Sequence, residues 1–411
     1  VKRLFVWVRG PEGTVRLAGE LAATDPAASG RFDAEFEYSP EWVNHPGGFA
    51  LDPVSLPLRP LGRRYRSEQF HPPLAMFDDA LPDDWGRGIL TRALKSEGHK
   101  PSPAEMLLRM QGAGTGALQF TESPSTPTIS TTLKSAALAT LLLAAREFEA
   151  GNLSSESAAF RQLLEGSSRA GGARPKALVH DDQGEEWVAK FPSKIRDGIH
   201  DVVGLEATCL ELARQAGLIV PESRLQFVGQ QRVLLVRRFD VTTQGGRHHM
   251  ISMRTLCRER PGISAMSYSE LASVLGRHSA SPAADVAMLF RHMVFNAATG
   301  NVDDHLKNFW ALATGAGYRL APAFDLVPDV SGRREHTLSF QYGFGCPTAE
   351  QLLAVAAAWN VEHPEKIVAQ VTNAVAQLKT VARKLKVRAG KGIEIVEADV
   401  RRRLELIGSS R

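Results

Sequence analysis

In the octapeptide Asn301-Val302-Asp303-Asp304-His305-Leu306-Lys307-Asn308 an aspartate and an asparagine stand five positions apart, and Phe324-Asp325-Leu326 follows a short hairpin pattern. A carboxylate at 303 can accept the proton of an attacking hydroxyl. The amide oxygen of Asn308 and the carboxylate of Asp325 are the hard oxygen donors that magnesium selects, with water and phosphate completing its shell. This spacing of base and metal-binding asparagine is that of a kinase catalytic loop, so the expected chemistry is phosphoryl transfer from ATP with Mg2+. His305 is expected to orient Asp303 or nearby backbone, and Lys307 to lie against the nucleotide. A plainer alternative makes Asn301, Asp303 and Asp304 turn-formers, with His305 and Lys307 capping the preceding helix.

Three upstream features suit the same chemistry. Gly171-Gly172-Ala173-Arg174-Pro175-Lys176 lacks bulky side chains where a backbone could approach a polyphosphate, although a hairpin turn has the same composition. Lys190, in the strand-like Glu186-Trp187-Val188-Ala189-Lys190-Phe191, could project toward phosphates. Glu206 falls on the apolar stripe of a helix expected from about Asp201 to Ala216, between Val203 and Leu210. A buried lone carboxylate costs several kcal/mol, so Glu206 needs a cation, and Lys190 is the nearest candidate in chain order.

These side chains must be carried by regular elements. Leu4 to about Pro60 alternates strand-like runs with Gly and Pro turns, which predicts a small sheet. Helical periodicity marks 74–95, 104–110, 267–275, 283–298 and 349–388, and strands are expected over 177–180 and 186–191. Residues 121–132 are almost entirely Ser, Thr, Pro and Ile, a linker composition.

The 411 residues, 43% hydrophobic and 23% charged, describe a globular chain of more than one domain. No apolar run approaches the roughly 20 residues of a membrane helix, no secretory pattern opens the sequence, and a cytoplasmic location is expected. Cys209, Cys257 and Cys346 are too scattered for a disulfide framework or zinc site. The net charge of +4 gathers near 379–391, where apolar residues at helical spacing favour a solvated helix face over a nucleic-acid patch. Gly112 to Gly116 is expected to be a turn, and His248-His249 a solvated loop.

The run Gly-Gly-Ala-Arg-Pro-Lys at 171–176, the run Asn-x-Asp-x-His-x-Lys-Asn-Phe at 301–309 and Ala-Phe-Asp-Leu at 323–326 together resemble the HipA-type kinases of bacterial toxin-antitoxin systems. The likeness extends over nearly the whole chain. Leu81-Pro82-Asp83 and Thr115 to Phe120 look like that family's N-terminal subdomain. Val236 to Asp240 looks like the segment joining its lobes, where backbone groups near Phe239 would meet the adenine, which makes Arg238 and Phe239 cofactor-binding positions.

The resemblance implies an α+β, two-lobed protein-kinase-like fold with ATP and magnesium between a mixed N-terminal lobe and an all-helical C-terminal lobe. Residues 1–120 would form the added N-terminal subdomain, 121–133 a linker, 134–242 the nucleotide-binding part of the N-terminal lobe and 243–411 the helical catalytic lobe. It also implies a serine/threonine kinase whose partner is a HipB-like DNA-binding antitoxin and whose family targets include an aminoacyl-tRNA synthetase. The family's regulatory serine precedes the glycine loop; counting back from Pro175-Lys176 puts Arg169 there, with Ser167 and Ser168 adjacent. Two other readings stay open: a small-molecule phosphotransferase, and a weakly active co-repressor in an antitoxin–DNA complex.

Overall fold

The structure, a computed structural model, describes residues 1–24, 32–58, 61–68, 74–96, 101–110, 114–125, 127, 137–167, 173–259 and 266–408. It divides into two compact units, Val1–Ser193 with Arg237–Gly262, and Lys194–Val236 with Ile263–Arg411.

In the first unit, β1 (Lys2–Arg9), β2 (Val15–Ala23), β3 (Ala34–Tyr38), β4 (Arg64–Arg66) and β5 (Leu118–Thr121) make an antiparallel sheet in the order β4-β3-β2-β1-β5. The period-two pattern of β3 explains its faces. Ala34, Phe36 and Tyr38 are buried, whereas Glu35 and Glu37 turn outward to Arg64 and Arg66 on β4. On the sheet pack α1 (Pro40–Asn44), α2 (Ala75–Asp79) and α4 (Pro103–Arg109), whereas α3 (Asp84–Ser96), α5 (Leu138–Glu149) and α6 (Ala158–Ser167) pack on one another. Helix α4 starts at a reciprocal capping box in which the side chains of Ser102 and Glu105 each accept from the other's backbone N–H. The hairpin β6 (Lys176–His180) with β7 (Glu186–Lys190) packs on α6, and β10 (Met250–Ser252) with α8 (Met253–Leu256) packs on α2. The linker expected near 121–133 falls largely on residues outside those described.

The second unit contains α7 (Val202–Gln215), the hairpin β8 (Ser223–Val228) with β9 (Gln231–Arg237), α9 (Tyr268–His278), α10 (Pro282–Thr299), the hairpin β11 (Trp310–Thr314) with β12 (Gly317–Leu320), α11 (Ala349–Ala358), α12 (Pro364–Val375), α13 (Leu378–Lys384) and α14 (Lys391–Gly408). Helix α10 is apolar around most of its circumference, and Leu289, Phe290, Met293, Val294, Phe295, Ala297 and Ala298 have no exposed surface. That pattern belongs to a central helix, and α9, α12 and α14 pack against it.

The expectation of an all-helical 243–411 is corrected, because β10, β11 and β12 lie in that range. The hairpin arises where Trp310 to Leu320 changes from helical to alternating periodicity around the Gly315 and Gly317 turn. The basic stretch near the C-terminus is a solvated face: Val375, Leu378, Val381 and Ala382 are buried, and Lys379 pairs with Glu397 at 3.2 Å. No helix among the described residues is long and apolar enough to cross a membrane.

Candidate active site

Helix α10 ends at Gly300, which adopts φ 71°, a left-handed conformation that costs glycine nothing. A Cβ there would come within 2.9 Å of Arg403 Nε and 3.0 Å of Asp399 Oδ2, so the close approach of α14 also requires glycine. The chain then enters the 301–308 segment with a sharp alternation in exposure. Asn301 and Val302 are buried, the Asp303 side chain is 62% exposed, and Asp304 is fully buried.

A 3-10 turn over Leu306–Asn308 follows, closed by Asn308 N donating to His305 O at 2.8 Å. The turn carries Asn308 back over the loop, and its Nδ2 donates to the Asp303 carbonyl at 2.7 Å. Since that carbonyl can only accept, the amide orientation is fixed, and Oδ1 is directed away from it. Arg333 Nη2 lies 3.5 Å from the Asp303 carboxylate. His305 and Lys307 are half-buried, and the Lys307 carbonyl accepts from Trp310 Nε1 at 2.7 Å.

Asp325 reaches the same region by a laced connection. Ala321 N donates to Trp310 O at 2.8 Å as the β11–β12 hairpin closes, and Asp329 N donates to Gly300 O at 2.8 Å. Thr337 adds N–H and Oγ1 bonds to Val302 O, both 3.1 Å. The segment bearing Asp325 is thus tied at both ends to the segment bearing Asp303 and Asn308. Asp325 itself has φ 57°, a conformation that costs a non-glycine residue about 1–2 kcal/mol. Strain of this kind is retained where surrounding structure over-determines it, commonly at functional sites.

These residues fit magnesium by donor chemistry: an amide oxygen with a fixed orientation and a half-buried carboxylate, both hard oxygens. Among the described residues no cluster of three His, Cys, Asp or Glu is poised around one point. An ion here would take these two protein oxygens and fill its shell with phosphate and water.

In the first unit, Lys176 and Lys190 stand directly opposite each other in the β6–β7 register, so both side chains leave the same face of the hairpin. Lys176 is 4% exposed, and Lys190 is half-buried. Of the adjoining loop, Ala173 is half-buried, while Gly171 and Gly172 lie outside the described residues. Glu206 is buried on α7, in the second unit, as its place on the apolar stripe predicted.

At the segment expected to meet the adenine, the Arg238 side chain is occupied elsewhere. Its guanidinium is consumed inside the first unit, bonding Asp240 Oδ1 at 3.0 Å and Oδ2 at 2.6 Å, Glu186 Oε2 at 3.1 Å and the Gly114 carbonyl at 2.8 Å. Arg247 joins the cluster through Glu186 at 2.8 Å. Burial alone would raise the Asp240 carboxyl, but the charge and hydrogen bonds of Arg238, with the charge of Arg247 and the Gly116 N–H, overcome it and hold the group below its ordinary range. Any nucleotide contact at this segment falls to backbone or to the half-buried Phe239.

Two residues carry partners that the sequence did not disclose. Asp304, to which the sequence assigned no role beyond the plainer turn-forming alternative, accepts from Tyr268 Oη at 2.5 Å, His336 Nδ1 at 2.9 Å, Thr337 N at 2.8 Å and, more weakly, Leu338 N at 3.4 Å. His249 is not in a solvated loop; it is 3% exposed, its Nε2 lies 2.8 Å from the Leu51 carbonyl, and burial lowers its pKa to about 4. No local signal marks either as buried, because the partners lie 32–36 residues away for Asp304 and 198 for His249.

Comparison with known proteins agrees with this architecture. The profile of the HipA-like C-terminal domain matches residues 168–379, just over half the chain, and that of the HipA N-terminal domain matches residues 14–121. The chain belongs to the HipA family. Two proteins of Sinorhizobium fredii (strain NBRC 101917 / NGR234), Y4dM and Y4mE, whose names class them provisionally as kinases, are 31% identical over 179 residues and 28% identical over 153 residues. The matched stretches cover 38% and 35% of this chain but only 41% and 34% of those relatives. Among solved structures, HipA from the Shewanella oneidensis MR-1 complex of HipA, HipB and operator DNA superposes with a TM-score of 0.66 at 18% identity, over 97% of this chain and 95% of that one. At that identity the likeness speaks for the fold.

Proposed function

We propose that the chain is an ATP- and magnesium-dependent serine/threonine protein kinase of the HipA type, acting as a toxin that phosphorylates a protein and is neutralised by a HipB-like DNA-binding antitoxin. The observation that carries the reading is Asp303 standing exposed on a loop whose neighbouring residues are buried, with Asn308 folded back onto its carbonyl.

In this reading the Asp303 carboxylate orients the acceptor hydroxyl and takes its proton as the new O–P bond forms and the bond to the ADP leaving oxygen breaks. Asn308 and Asp325 hold magnesium, which when bound neutralises the charge of the phosphates. Lys190, positioned by Glu206, and Lys176 hold phosphate oxygens, with Gly171 to Ala173 covering them and Lys307 a further cation nearby. His305 steadies the loop. The domain division follows the same reading: a two-lobed kinase with residues 1–120 as an added subdomain, 134–242 contributing to nucleotide binding and 243–411 to catalysis.

The antitoxin partner is supported by the composition of the Shewanella complex, in which the related chain is bound with HipB and operator DNA. Protein acceptors, an aminoacyl-tRNA synthetase among them, are what the family resemblance implies. Incubation of the purified chain with labelled ATP and host lysate tests the reading. A discrete labelled protein band, its modified residue a serine or threonine by mass spectrometry, is the expected result. Label confined to small molecules would instead make the chain a metabolite phosphotransferase.

A further inference from the structure

A chain of buried polar groups runs from the proposed catalytic loop to the C-terminal helix. Asp304, next to Asp303, has no exposed surface and accepts from Tyr268 of α9 and from His336 Nδ1. On the far side of the imidazole, His336 Nε2 lies 3.2 Å from Arg403 Nη1. A guanidinium can only donate, so Nε2 is the acceptor and Nδ1 carries the hydrogen given to Asp304. Arg403, also without exposed surface, is held by Asp399 at 2.6 Å and by the Ala297 carbonyl at 3.4 Å. The other end of the loop is fixed as well. Asn301 Nδ2 donates to Asn296 Oδ1 at 3.0 Å, and Asn296 Nδ2 donates to Tyr268 Oη at 3.0 Å, closing a ring through residues 301–304.

We infer that Asp304 and His336 are positioning residues that set the attitude of Asp303, with Arg403 holding the His336 ring in the tautomer that donates to Asp304. Burying an aspartate and an arginine costs free energy that apolar side chains of similar volume would not, and such networks commonly serve to fix one geometry. The product here is an alternation: Asp304 is pulled into the core, and Asp303 must therefore point out. A 1 Å shift of a reacting group can cost about a hundredfold in rate.

The inference rests on reading Asp303 as the base, and two substitutions at one position separate the links of the chain. Asparagine at 336 keeps a donor where Nδ1 stood, whereas glutamine keeps an acceptor where Nε2 stood. His336→Asn is expected to retain kcat within about threefold, while His336→Gln loses roughly ten- to a hundredfold in kcat, both with KM for ATP unchanged. Tyr268→Phe, which removes one donor to Asp304 and the acceptor of Asn296 Nδ2 but no packing, should lose a smaller amount in the same parameter. Amide hydrogen exchange over 301–309 provides a readout independent of activity, and it should be faster in His336→Gln and Tyr268→Phe than in wild type. Faster exchange with an inactive wild type would sink the kinase reading and leave the positioning intact. Unchanged exchange in both variants, or equal losses in His336→Asn and His336→Gln, would overturn the inference itself.

Discussion

Asn308 Nδ2 donates to the main-chain carbonyl of Asp303 at 2.7 Å, closing the loop that joins them. One hydrogen bond thereby does two things: it fixes the backbone from which the Asp303 carboxylate projects, and it directs the Asn308 amide oxygen away from that carbonyl, free for the metal-binding role proposed for it.

Asn308→Ala removes both. It should lower kcat and raise the magnesium concentration needed for half-activity, by roughly ten- to a hundredfold together. Asn308→Asp should not restore activity, because an ionised carboxylate cannot donate to the Asp303 carbonyl. Steady-state kinetics over a magnesium titration checks both variants.

Lys176 and Lys190 face the same side of the β6–β7 hairpin. Replacing either with Ala should weaken ATP binding by about tenfold or more, as expected for losing a charge-assisted hydrogen bond. The double variant should also show a flatter dependence of affinity on ionic strength. Calorimetric titration at two salt concentrations measures this.

Asp240→Ala would take from buried Arg238 its bidentate partner and leave Arg238 and Arg247 to share Glu186 alone. Breaking a buried ion pair from one side costs about 3–5 kcal/mol, and Asp240 also accepts from Gly116 N at 2.8 Å. A correspondingly lower urea midpoint is expected, with Asp240→Asn losing less than Asp240→Ala.

Stability should fall on mild acidification. Burial lowers His249 and His292 from 6.5 to about 4. Both folded values lie below the unfolded one, so as pH falls from about 6.5 to 4 the unfolded chain takes up protons that the folded chain excludes. Each histidine then removes up to about 3 kcal/mol across that window. His249→Gln and His292→Gln should each flatten the decline between pH 6.5 and 5 in denaturant titrations. An unchanged slope in both would show that these imidazoles titrate normally.

How far the sequence could be read depended on whether the deciding partner was local. Helix α7 was bounded from sequence by Asp201 and Ala216, which are its N-cap and C-cap, because capping is a property of adjacent residues. The Asp303–Asn308 spacing was legible for the same reason: five residues of chain leave few ways to bring an amide onto a carbonyl. Nothing nearby in sequence reveals that the Arg238 side chain is held by Glu186 and Gly114, 52 and 124 residues away. Asp303 and Asp304 are indistinguishable as letters. Only the remote Tyr268, His336 and Thr337 decide which one is buried, and Arg403 becomes relevant only once α14 is folded against α10.

The most direct test compares wild type with Asp303→Ala for ATP affinity and for transfer of label to protein in the same preparation. The account predicts a dissociation constant for ATP that is nearly unchanged and a rate of transfer reduced on the order of a thousandfold. Equal transfer by the two proteins would contradict it.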